Sequence, residues 1–197
     1  MNYDVEMNKI IDNLDYKPKL LLHSCCGPCS TTVIERLKDH FDITIIYYNP
    51  NIEPYEEYLI RKEEQIKVIN HYGLNIMDCD YNNELFHEMS KGLENVPERG
   101  IRCHKCYRLR LNYTCKKAKE NNFEYFGTTL TVSPHKLSNV INEIGLELSN
   151  ANNIKYLVSD FKKQNGYKRS IELSKEYNLY RQNYCGCIFS KVSDSNE

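Results

Sequence analysis

Seven of the nine cysteines in this 197-residue chain fall in three tight groups: Cys25, Cys26 and Cys29; Cys103 and Cys106; Cys185 and Cys187. Cysteine offers a soft ligand for metals and a sulfur that can be oxidised and reduced reversibly, and both uses need the thiolate. In a reducing compartment such groups point to metal ligands or redox catalysts rather than structural disulfides. Cys79 and Cys115 stand alone and read as small buried hydrophobes.

Cys26-Gly27-Pro28-Cys29, taken alone, is the thioredoxin active-site tetrapeptide. A thiol at a helix N-terminus has a lowered pKa, because the free N–H groups and the helix dipole favour the anion. The same field favours metal ligation, so the motif specifies activated thiols without saying what they do. The absence of Trp, the extra Cys25 and the two further cysteine groups speak against a thioredoxin-like domain. Cys103 and Cys106 are three residues apart, so on a helix both sulfurs share a face and reach one centre. Two CxxC motifs suggest zinc, but structural zinc sites draw their pairs from much shorter loops than the 73 residues between Cys29 and Cys103. Zinc also needs four ligands, and seven grouped thiols are present. Iron–sulfur clusters take thiolates from scattered positions, which favours a cluster. Cys185 and Cys187 are one residue apart; they suit either a strained, easily reduced disulfide or a pair of metal ligands.

The elements that must carry these thiols alternate between two periodicities. Lys19 to His23 is an apolar run that suits a buried strand. A helix follows from Ser30 to His40, with Pro28 near its first turn. Asp42 to Tyr48 reads as a second strand, Pro54 opens a helix to Tyr72 that stops at Gly73, and Leu74 to Cys79 reads as a third strand. Asn83 to Asn122 is helical with a break near Pro97 and Gly100. Glu124 to Thr129 makes another strand; Ser133-Pro134 starts a loop and then a helix from about Ser138 to Ser149. Tyr156 to Ser159 is a weaker strand, and a last helix spans about Ser170 to Glu176. Alternation of this kind predicts an α/β fold: one domain over residues 1–197, with a parallel, Rossmann-like sheet and helices on both faces. Sites in such sheets form at the carboxyl ends of strands, and Cys25, Cys26 and Cys29 directly follow the first.

The apolar fraction of 41% and the charged fraction of 27% are ordinary for a globular chain. The start, MNYDVEMNKI, has no apolar core of a secretory signal, and no apolar run approaches a membrane span. A cytoplasmic address is expected. The net charge of −1 excludes a global pull toward nucleic acid, yet charge is locally uneven. From Glu98 to Lys117 seven basic residues (Arg99, Arg102, Lys105, Arg108, Arg110, Lys116 and Lys117) face one acid, and Lys162, Lys163, Lys168 and Arg169 form a second group. Either is a solvated face or a phosphate-binding one; each lies on or shortly before a cysteine group.

Taken together, the motifs resemble the cobalamin-independent epoxyqueuosine reductases of the QueH family. The matching stretches are His23-Ser24-Cys25-Cys26-Gly27-Pro28-Cys29-Ser30, Tyr48-Asn49-Pro50-Asn51-Ile52, Arg102-Cys103-His104-Lys105-Cys106-Tyr107, Thr128-Thr129-Leu130 with Ser133-Pro134, Gly166-Tyr167-Lys168-Arg169-Ser170, and Tyr180-Arg181-Gln182 with Tyr184-Cys185-Gly186-Cys187. Each is weak alone; the ordered set from residue 23 to 187 is specific. The resemblance implies deoxygenation of the epoxide on the modified wobble base of a tRNA with a GUN anticodon, the last step of queuosine synthesis, with two electrons and two protons consumed. It implies a [4Fe-4S] cluster on Cys25, Cys26, Cys103 and Cys106. It further implies an adjacent iron, a redox-active pair at Cys185 and Cys187, and a low-potential donor such as a ferredoxin or flavodoxin. Cys29 matches a position where some relatives carry Asp, so it resembles a ligand that can be thiolate or carboxylate, and Cys29, Cys185 and Cys187 form the candidate set for the second iron or the redox-active pair. The tRNA would meet Arg102, Lys105, Arg108, Arg169 and Arg181, with Tyr rings stacking on unpaired bases. His23 and His104, with His135 nearby, are the candidate proton donors.

Three other classes compete. A thiol–disulfide oxidoreductase would be iron-free, and a zinc-dependent tRNA-binding module would be zinc-loaded and without turnover. An ATP-using tRNA-thiolating enzyme would need a glycine-rich Ser/Asp phosphate loop after the first strand, where this chain has cysteines.

Overall fold

The computed structural model describes residues 1–191. Its centre is a five-stranded parallel sheet of β1 (Lys19–His23), β2 (Asp42–Ile46), β3 (Asn75–Met77), β4 (Tyr125–Thr128) and β5 (Lys155–Tyr156), in the order β3-β2-β1-β4-β5. Strand β1 lies in the middle, with Lys19 to His23 in register with Asp42 to Ile46 on one side and Leu20 to His23 with Tyr125 to Thr128 on the other. The strand order reverses there, so the carboxyl ends of β1 and β4 flank the crevice in which such sheets bind ligands.

The alternation of β1 explains why both faces are covered. Leu20 and Leu22 point to one side and pack with Val33, Ile34 and Leu37 of α2 (Gly27–Leu37) and Val68 and Ile69 of α3 (Tyr55–Tyr72). Leu21 points to the other, against Tyr107, Leu111 and Cys115 of α5 (Ile101–Glu120) and Ile141, Ile144 and Leu148 of α6 (Ser138–Asn152). A strand buried on both faces reads as an unbroken apolar run. Cys115 lies in this core, whereas Cys79 is only half-buried at its edge.

Most expected elements occur within a few residues of their predicted bounds, and α3 stops as predicted at Gly73 in the left-handed region. Tyr47 and Tyr48 leave β2 early, and β5 has two residues rather than four. The 83–122 segment divides into α4 (Asn83–Ser90) and α5, with Pro97 and Gly100 in the break. Helix α7 (Gly166–Glu176) begins four residues before the predicted start, behind Asn165 at φ 62. Helix α1 (Tyr3–Asp12) and the single turn α8 (Ile188–Lys191) were not foreseen. In α1 only Asp4 and Met7 are buried, too narrow an apolar stripe to stand out. The part of the predicted 1–197 domain beyond residue 191 lies outside the described residues. Among the described residues, no helix is long and apolar enough to cross a membrane.

Candidate metal centre

The first thiol group is held by the end of β1 and the start of α2. Cys26 is the N-cap of α2 in extended conformation, and its side chain makes no capping bond. Gly27 permits α2 to approach α3: a Cβ there would lie 2.7 Å from the Glu64 carbonyl oxygen. The sulfurs of Cys25, Cys26 and Cys29 all lie within 4.8 Å of one another. Cys25 sits at the switch point, where Thr129, just beyond β4, accepts its N–H at 3.2 Å with the hydroxyl oxygen. The same oxygen is 3.5 Å from the Cys25 sulfur. Hydrogen bonds from Cys26 and Cys29, and then Lys136 and Thr129, outweigh burial and hold the Cys25 thiol well below its ordinary pKa. Cys26 is pushed up to about 12 and Cys29 well above the usual range by their bonds with Cys25. Within the triad the anionic form is therefore most favoured at Cys25, with Cys26 and Cys29 as its donors.

His23 is not a proton donor. Its Nε2–H donates to the Tyr48 carbonyl at 3.0 Å, which leaves Nδ1 to accept from the Thr128 hydroxyl at 2.9 Å. Complete burial, followed by the nearby Arg110 cation, lowers its pKa to about 4. The ring is a neutral strut joining the ends of β1, β2 and β4.

The second group lies in the first two turns of α5. The Arg99 N–H donates to the Cys103 sulfur at 3.3 Å, from a residue at φ 68. The Arg99 side chain donates to the carbonyl of His135 at 3.1 Å and so ties this turn to the loop carrying Lys136. Burial raises the thiols of Cys103 and Cys106 above their ordinary values.

The third group precedes α8. Arg61, 2% exposed in the middle of α3, donates to the carbonyls of Cys185 at 3.2 Å and Tyr184 at 3.4 Å and lies over the Tyr184 ring. Gly186, at φ 107, is required there: a Cβ would meet the Arg61 guanidinium at 2.8 Å. The Cys185 sulfur is 3.3 Å from the Lys136 ammonium. Hydrogen bonding from Cys187, then Lys136 and Arg110 acting against burial, holds Cys185 well below the ordinary thiol pKa, and Cys187 is raised by the same bond.

The three groups border two adjacent cavities that share wall residues. A cavity of about 300 Å³ is lined by Cys25, Cys29, Asn51, Arg110, Lys136 and Cys185, among others. A narrow second cavity is lined by Cys103, Cys106, Cys185 and Cys187 and shares Arg110 and Lys136 with the first. Cys25 and Cys29 line the first cavity, Cys103, Cys106 and Cys187 the second, and Cys185 both, while Cys26 is held within the triad. Arg110 is 2% exposed and bonds only the Cys106 carbonyl and Asn49, its Nη2 having no partner. Burial disfavours the Lys136 cation, yet the Cys185 thiolate beside it prevails and raises its pKa. Neither cation has a carboxylate partner among the described residues. Buried charges persist when compensated, and the compensation available here is thiolate. Two cations without a carboxylate partner among the described residues, bordering cavities lined by six of the seven grouped thiols, fit an anionic thiolate-bound metal group.

The predicted phosphate contacts fare unequally. Arg102 is corrected: it is 4% exposed, and its guanidinium closes the 91–100 loop through the carbonyls of Leu93, Glu94 and Val96, under the Phe189 ring. Its place in a basic run concealed an inward-facing side chain. Lys105 and Arg108 are exposed on α5, and Arg108 pairs with Glu147. Arg169 pairs with Glu35 at 2.7 Å. Arg181 lines the larger cavity and donates to Ser170 and Ser174. His104 is half-buried and keeps Nε2 without a partner, while His135 is exposed at the cavity wall. The sequence reading missed Lys136, Arg61, Asn51 and Gln182 as members of the site. Arg110 was counted only as part of a charge run, and Glu57 and Arg61, four apart, look like an ordinary surface pair.

A doubly wound α/β protein with activated thiols gathered at its switch point is the class this fold and site define. A profile of the family described as epoxyqueuosine reductase QueH matches residues 20–193. The chain is 43% identical to epoxyqueuosine reductase QueH of Staphylococcus epidermidis over 98% of this chain and 85% of that one. It is 40% identical to the protein of the same name from Streptococcus pyogenes, over 96% and 78%, and 43% identical to that of Acinetobacter baylyi, over 95% and 85%. The chain belongs to the QueH family of epoxyqueuosine reductases. The crystal structure of a predicted subunit of tRNA methyltransferase from Methanocaldococcus jannaschii shares the fold, with a TM-score of 0.53, 15% identity and coverage of 81% and 74%.

Proposed function

We propose that this chain reduces epoxyqueuosine to queuosine at the wobble position of tRNA. In the balanced reaction the epoxide takes up two electrons and two protons, both C–O bonds break, an alkene forms and the oxygen leaves as water. The observation that carries this reading is the convergence of three thiol groups and two cations without a carboxylate ion pair on adjacent cavities, in a chain of this family.

In this proposal Cys25, Cys26, Cys103 and Cys106 hold a [4Fe-4S] cluster, while Cys29, Cys185 and Cys187 bind a second iron or, for the last two, cycle as a dithiol. When bound, these groups supply electrons and a Lewis acid for the epoxide oxygen. The chain's own part is positioning and electrostatics. Thr129 fixes Cys25 through its N–H, and Arg61 fixes the Cys185 carbonyl. Lys136 and Arg110 present positive charge to the space where negative charge grows on oxygen, and fixed charges in a dry site act strongly there. Lys105, Arg108, Arg169 and Arg181 are the proposed tRNA contacts, His104 the remaining candidate proton donor of the two first named, and a ferredoxin- or flavodoxin-like protein the electron source. A cytoplasmic address suits such a substrate.

Metal analysis tests the reading against its rivals. Protein purified without oxygen should carry at least about four irons with labile sulfide, as a cubane cluster requires. Stoichiometric zinc without sulfide would support the binding-module reading, and metal-free protein active on disulfides the oxidoreductase one.

A further inference from the structure

The wall of the larger cavity contains two buried hydrogen-bond acceptors with nothing to accept. They are Asn51 Oδ1 and Gln182 Oε1, neither of which has a partner, and both residues line the cavity. Asn51 is 1% exposed, so solvent does not satisfy it in passing. Leaving a buried amide oxygen unpaired costs about 1–3 kcal/mol, and such groups concentrate where a ligand completes the bonding.

Gln182 lies beside Cys26, and its Oε1 is the atom left without a partner in a residue of the cavity wall. The side chain therefore joins a residue of the thiol triad to an unpaired acceptor at that wall. Asn51 belongs to both cavities and so also borders the thiols.

We infer that Asn51 and Gln182 accept hydrogen bonds from the two ring hydroxyls of the substrate's epoxycyclopentanediol, and thereby select that ring and orient its epoxide toward the thiol centre. This rests on the reaction proposed above. The epoxide and the cis-diol occupy one five-membered ring, so when the epoxide is at the metal centre the hydroxyls are within a bond or two of it. An acceptor held against Cys26 is within reach of a hydroxyl in that pose. Two acceptors match two hydroxyl donors. Polar groups buried for this purpose discriminate strongly against an analogue that lacks the donor, because they are then left unpaired.

The test compares two anticodon stem-loop substrates, one carrying epoxyqueuosine and one carrying the same epoxide without the two ring hydroxyls. Both are reduced by one anaerobic preparation, and kcat/KM is measured for each. Wild-type protein should prefer the diol by about ten- to a hundredfold, the scale expected for one or two orphaned acceptors. In Gln182→Met and in Asn51→Ser that ratio should fall toward one, chiefly through loss of activity on the diol substrate. Using the ratio within one preparation cancels differences in metal content or folding. A wild-type ratio near one, or a full ratio in both variants, would overturn the assignment while leaving the reaction in place. Failure of metal-replete wild-type protein to reduce either substrate would overturn the reaction, and this inference with it.

Discussion

The Lys136 ammonium lies 3.3 Å from the Cys185 sulfur, and the two residues share both cavities of the thiol centre. Lys136 is a half-buried cation without a carboxylate partner among the described residues, and Cys185 is a thiol held low. Each keeps the other charged. A charge-assisted bond of this kind contributes about 1.5–3 kcal/mol.

Removing the cation should therefore raise the Cys185 pKa. A thiol with a depressed pKa remains thiolate at pH values where an ordinary one is protonated, so its alkylation survives to lower pH. In reduced, metal-free protein, Lys136→Met should move the pH midpoint of Cys185 alkylation upward and slow labelling at neutral pH about tenfold or more. Lys136→Arg should restore most of the rate. Mass-resolved labelling reads both; an unchanged midpoint in Lys136→Met would assign the depression to Cys187 and Arg110.

Cys103 and Cys106 tie the centre to α5. If they are cluster ligands, Cys103→Ala should lose most of the visible iron–sulfur absorption and the matching iron, because an anionic ligand has been removed. A full-intensity spectrum in Cys103→Ala would exclude it from the ligand set. The observed proximity of Cys25, Cys26 and Cys29 gives the comparison variant: Cys29→Ala should keep the cluster spectrum if Cys29 serves the second iron.

Cys185→Ser and Cys187→Ser should keep the cluster spectrum and form little or no queuosine. Iron content separates the two roles of the pair, falling only if these thiols bind the second iron. Loss of the cluster itself would make them structural ligands.

Arg102 and its neighbours on α5 should now separate by burial. Arg102→Ala leaves the carbonyls of Leu93, Glu94 and Val96 without their donor, and should lower stability by about 2 kcal/mol or more on denaturant unfolding. Replacing Lys105 and Arg108 with Ala should leave stability nearly unchanged and reduce the salt slope of tRNA binding by about 1–2. An unchanged slope would make that face merely solvated.

These contrasts show which information the sequence carried. An unbroken apolar run followed by turn residues identifies β1, because a central parallel strand is buried on both faces, and Gly73 marks the end of α3, because few other residues adopt its backbone. The cysteine spacing revealed the centre. What remained hidden were residues whose direction is decided by tertiary packing. Arg102, Lys105, Arg108 and Arg110 look alike in sequence, yet α5 turns Arg102 and Arg110 inward and leaves Lys105 and Arg108 exposed. Lys136 is visible only as a residue following Ser133-Pro134, and its role depends on a loop brought to Cys185 from 49 positions away in the chain.

The central claim is deoxygenation at the wobble base, and single-turnover conversion tests it most directly. Protein reconstituted with iron and sulfide under nitrogen, reduced chemically and mixed with epoxyqueuosine-containing tRNA, should yield queuosine on nucleoside mass analysis, with the loss of one oxygen. Epoxyqueuosine recovered intact, from protein that holds its full iron and binds the tRNA, would contradict it.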